Sequence, residues 1–97
     1  MELSHRLTRH AHERSTGRDI PPLIAETIIA YGRSRDAGDG TRKYALTKES
    51  MRELRRVAGR AMTNAIAPYW KRNAYVLVGG DCIITVAFAS KPLFHET

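Results

Sequence analysis

The sequence predicts an α+β domain: two N-terminal helices and one long central helix packed on a small antiparallel sheet of about three or four strands, ending in a C-terminal hairpin. Three observations carry that expectation. Residues 73–89 hold two runs rich in β-branched and aromatic residues, Tyr75–Val78 and Cys82–Phe88, separated by Gly79-Gly80-Asp81, a turn sequence that accepts positive φ. Ile20, Leu23, Ile24, Thr27, Ile28 and Tyr31 recur at helical spacing. Met51, Leu54, Val57, Ala58, Ala61, Met62, Ala65 and Ile66 do so again further on. The 97 residues make one domain, 1–97, large enough for a single core.

Taken in order, residues 4–18 read as a short, polar helix. Leu3, Leu7 and Ala11 give it only a thin apolar stripe, and Gly17 offers a stop. In the second helix Asp19 can cap, Pro21 and Pro22 suit the first turn, and Gly32 ends the run. Residues 33–40 contain two glycines, two aspartates and no apolar run, which predicts a flexible surface loop. Residues 41–47 have strand chemistry, with Tyr44 and Leu46 on one face and Lys43 and Ala45 on the other.

Residues 48–67 read as one long helix that Pro68 ends. Thr47 or Ser50 caps it, and Glu53 stands where it would complete a capping box for Ser50. Arg52, Arg56 and Arg60 fall four apart on its outer face, and Tyr69 to Arg72 form an aromatic, basic link to the hairpin. Ile83–Phe88 is apolar at nearly every position, so it is expected as an interior strand covered on both faces. Strict alternation would put Thr85 on the face of Ile83 and Ala87, with Cys82, Ile84, Val86 and Phe88 on the other. The Thr85 hydroxyl then either bonds a neighbouring backbone group or looks into a site.

Composition narrows the compartment and the partner. No apolar run is long enough to span a bilayer, and the polar first fifteen residues lack the stretch of a secretory signal, so a cytoplasmic protein with no membrane partner is expected. The single Cys82 excludes an intramolecular disulfide and a thiolate zinc site, and reads as a small core residue. Sixteen basic residues against ten acidic give a net charge of +6, and twelve of the sixteen are arginine. That excess favours nucleic acid or an acidic protein as partner, although arginines on helix surfaces are also common solvated groups.

Neither a metal nor a cofactor is expected. His10 and His12 would diverge on a helix, and no Cys cluster, phosphate-binding glycine loop or nucleophile elbow is present. What remains is His10, Arg14 and Arg18 near the N-terminus, Lys43 and Tyr44 on the first strand, and Thr85 on the last. Metal-free RNA cleavage needs groups that move protons to and from the 2′- and 5′-oxygens and neutralise the phosphorane, and these residue types suffice. Arg52, Arg56, Arg60, Trp70 and Lys71 are further nucleic-acid candidates. Their ordinary structural readings are a solvated helix face for the arginines and a core plug for Tyr69 and Trp70.

The phrase Arg9-His10-Ala11-His12-Glu13-Arg14-Ser15-Thr16-Gly17-Arg18-Asp19-Ile20, then Gly40-Thr41-Arg42-Lys43-Tyr44, then Ile83-Ile84-Thr85-Val86, resembles small bacterial families grouped with the barnase, EndoU, colicin and RelE ribonuclease toxins. The resemblance covers about two thirds of the chain through short motifs. It implies helices packed on one antiparallel sheet, with an RNA site across the sheet face. Carried over by match, it makes His10 the acid or base, Arg14 and Lys43 phosphate binders, and Thr85 a substrate contact. The long helix over 48–67 departs from the strand-to-strand order of those families. The expectation is therefore a metal-independent endoribonuclease, the toxin of a toxin-antitoxin pair, with RNA and an acidic antitoxin as partners and homodimerisation left open. The rival expectations are a non-catalytic nucleic-acid-binding module and a bacterial or phage interaction protein without nucleic-acid activity.

Overall fold

The computed structural model describes residues 20–94 and the backbone of Arg6–Leu7. Among them the chain is α+β, with three helices and a four-stranded antiparallel sheet, flanked by a two-residue strand β1 (Arg6–Leu7) that runs parallel to the last strand. The pair Arg6–Leu7 is extended where a helix was expected; the rest of that segment, Asp19 included, lies outside the described residues.

Helix α1 (Pro22–Tyr31) begins at Pro21, whose carbonyl accepts from the Ile24 and Ala25 amides at 2.9 and 3.2 Å. Ile20, Ile24, Ala25 and Ile28 enter the core, whereas Leu23 stays 41% exposed. The helix stops at Gly32, where a Cβ would lie 2.3 Å from the Ile28 carbonyl oxygen and 2.8 Å from that of Ala45. Two backbone segments therefore meet at a point only glycine can occupy.

The expected loop over 33–40 is instead strand β2 (Arg33–Gly38), paired antiparallel with β3 (Thr41–Ala45). Its residues look loop-like because β2 is the outermost strand and nearly all of its side chains are exposed. Backbone pairing to β3, which no side-chain pattern reports, holds it extended. Asp39 and Gly40 reverse the chain, both at positive φ.

The expected single helix is two, α2 (Lys48–Ala58) and α3 (Arg60–Lys71), interrupted at Gly59 with φ +90°. Thr47 caps α2: its hydroxyl accepts from the Ser50 amide at 3.1 Å, and the Ser50 hydroxyl accepts from the Thr47 amide at 3.0 Å. Ser50 thus takes the capping-box position expected of Glu53, which bonds Arg56 instead. The Gly59 break splits the expected stripe, so Met51, Leu54 and Ile66 are buried while Val57 is 55% exposed. Pro68 does not end the helix but lies inside its last turns, and the Arg72 amide donates to its carbonyl at 3.2 Å.

Strands β4 (Ala74–Gly79) and β5 (Cys82–Phe88) are joined through Gly80 and Asp81, Gly80 having φ +63°. Val78 pairs with Ile83 but Leu77 pairs with Thr85, so Ile84 is the extra residue of a β-bulge. The bulge overturns the expected alternation along β5. Ile83 and Val86, both 0% exposed, share the helix side with Val76 and Val78, while Thr85 and Ala87 take the far face. Cys82 is half-buried beside the turn rather than in the core. One core results, made by α1, α2, α3 and the helix side of β4 and β5.

Candidate nucleic-acid interface

Strand register determines which side chains meet on the face of the sheet turned away from α1–α3. Arg35 pairs with Lys43, Lys43 with Leu77, and Leu77 with Thr85, so one row crosses four strands from a guanidinium through an ammonium to a hydroxyl. The adjacent row on that face is Arg33, Ala45, Tyr75 and Ala87. Lys43 and Thr85 stand two strands apart, roughly 10 Å between backbones.

Like charges directly opposite across a strand pair destabilise it. Here each cation is drawn to a different neutral partner. The Lys43 Nζ sits 5.1 Å from the centre of the Tyr75 ring, and Arg35 Nη1 donates to the Leu93 carbonyl at 3.2 Å. The Arg33 guanidinium lies 5.3 Å from the Phe94 ring centre. Neither Arg35 nor Lys43 is joined to a carboxylate in these contacts, and a phosphate bound between them would relieve their repulsion.

Other candidates fall elsewhere. Tyr44 belongs to the helix side of the sheet, packed against the core, and so does not join Lys43. Arg52 and Arg56 lie on α2 and Arg60 opens α3 beyond the Gly59 break, so the three make no continuous stripe and belong to the helical layer. Arg56 is held by Glu53, its Nε donating at 3.1 Å. That bond lowers the Glu53 carboxyl below its ordinary value and raises the guanidinium. His10, Arg14 and Arg18 lie outside the described residues.

Trp70, half-buried against the core, and Lys71 end α3 and help line a cavity of about 200 Å³ whose wall joins the core residues Leu46 and Ala74 to Ala45, Asn73, Leu93 and Phe94. Sequence reasoning missed Arg33, Arg35, Tyr75, Asn73 and Phe94. The Arg33-Ser34-Arg35 alternation was the available signal for the first two, since period two places both arginines on one face once the segment is a strand.

No family model, curated protein or solved structure matches the chain. Among the described residues no helix is long and apolar enough to cross a membrane.

Proposed function

We propose that the protein is a metal-independent endoribonuclease that holds RNA across the far face of its sheet. The observation that supports this reading is the row Arg35, Lys43, Leu77, Thr85: two cations and a hydroxyl on one face, with Tyr75 beside them. In the proposed step the 2′-oxygen attacks the adjacent phosphorus and the bond from phosphorus to the 5′-oxygen breaks. A base takes the 2′-hydroxyl proton, an acid returns one to the leaving 5′-oxygen, and the products are a cyclic phosphate and a 5′-hydroxyl. Lys43 and Arg35 stabilise the phosphorane charge, and Thr85 contacts the substrate. His10 and Arg14 enter this scheme through the family resemblance, His10 as the proton-transfer group. The net charge of +6 suits both RNA and a neutralising acidic partner in the cytoplasm, as a toxin requires.

A second reading, RNA binding without cleavage, is favoured by one observation. The far face sets the cations Arg35 and Lys43 beside the Tyr75 ring, a pairing of positive charge with an aromatic surface that suits holding a single strand without any proton transfer. Incubation with total RNA in EDTA, with and without ribosomes, beside His10→Ala and Lys43→Ala variants separates the two. Cyclic-phosphate fragments that disappear in both variants support the nuclease. Intact RNA that is nevertheless retarded in a gel overturns cleavage and leaves binding.

A further inference from the structure

We infer that the cavity between the end of α3 and the C-terminal segment is a subsite for one unpaired nucleobase. This inference rests on the RNA-binding reading above and names what lies next to its phosphate row. The cavity of about 200 Å³ is smaller than the roughly 300–1,000 Å³ of pockets that take drug-sized ligands, which suits a single ring system. Trp70 and Phe94 supply aromatic walls, and bases stack on such side chains whatever their identity.

Asn73 supplies the polar edge. Its backbone is left-handed, φ +61°, and its amide nitrogen reaches the Ala89 carbonyl at 3.5 Å, the long limit of a hydrogen bond. The amide therefore keeps a donor and an acceptor for the edge of a base. Lys71 in the wall, and Arg33 against the Phe94 ring, put positive charge beside the cavity, which favours an anionic ligand such as a nucleotide over a cation or a lipid chain.

The cavity also borders the strand that carries Lys43. Ala45 forms part of its wall and lies two residues along β3 from Lys43 on the same face, about 7 Å away. A strand whose phosphate sits on Arg35 and Lys43 thus has a neighbouring base within reach of Trp70.

Trp70 is the chain's single tryptophan, so its emission comes from this cavity's wall with no second indole to obscure it. The test titrates that emission with the four nucleoside monophosphates, with ribose 5-phosphate, and with a saturating single-stranded RNA oligonucleotide whose binding is followed separately by anisotropy. Expected are saturable quenching by the monophosphates and the oligonucleotide, none by ribose 5-phosphate, and an affinity about five- to tenfold weaker in Phe94→Ala. Asn73→Gly, which accepts the left-handed backbone, is expected to quench but with an altered order of preference among the four bases. An oligonucleotide that binds with steep salt dependence while Trp70 emission stays constant overturns the subsite and leaves the RNA reading intact. Equal quenching by ribose 5-phosphate overturns it as well, reducing the cavity to an anion site. Quenching by monophosphates with no oligonucleotide binding keeps the base subsite and removes the RNA reading instead.

Discussion

Arg35 and Lys43 face each other across the β2–β3 pair on the far side of the sheet, one cation directly opposite another. The repulsion between them costs the fold a little, and an anion lying between the two would offset that cost.

Neutralising either member should therefore separate stability from binding. Arg35→Gln and Lys43→Gln are each expected to leave the unfolding free energy unchanged or raise it by about 0.5 kcal/mol. Each should weaken single-stranded RNA binding and reduce the salt slope of its affinity by about one. Urea melts and anisotropy titrations at several salt concentrations measure both. An unchanged salt slope in both variants would take the row out of phosphate contact.

The Gly59 break predicts the sign of a substitution. In a continuous helix Gly59→Ala would stabilise by about 1 kcal/mol. At φ +90°, with nothing within 4 Å of an added Cβ to create a clash, backbone strain alone should instead destabilise by about 1–2 kcal/mol. The midpoint of a urea transition distinguishes the two.

The bulge at Ile84 predicts unequal costs at neighbouring positions of β5. Ile83→Ala empties a fully buried site and should cost about 2–5 kcal/mol. Thr85→Ala removes a half-buried hydroxyl from the far face and should cost less than about 1 kcal/mol while lowering RNA binding or cleavage. Equal losses of stability would place Ile83 and Thr85 in the same environment, contrary to the observed register.

The Glu53–Arg56 pair predicts a pH dependence. The hydrogen bond from Arg56 lowers the Glu53 carboxyl below its unfolded value, so the pair's contribution is complete above the ordinary glutamate range and is lost as pH falls through the depressed folded value. Arg56→Gln should thus lower the melting temperature slightly at neutral pH and not at all once Glu53 is protonated in both states. Because Arg56 is already engaged, the same variant should change RNA affinity less than Lys43→Gln does.

The sequence alone determined the α+β class, since helical and strand periodicities and the turn residues between them are local signals. Pro21 and Gly32 bounding α1, and the apolar runs that became β4 and β5, are of this kind. It also determined the charge, which favours a polyanionic partner and on which the proposal rests. Only the tertiary structure decided that residues 33–38 are a strand, because an edge strand is held by a neighbour's backbone and needs no apolar pattern of its own. The same holds for Ile84. A bulge is one extra residue relative to a partner, so the face on which Thr85 joins Lys43 exists only once β4 and β5 are paired.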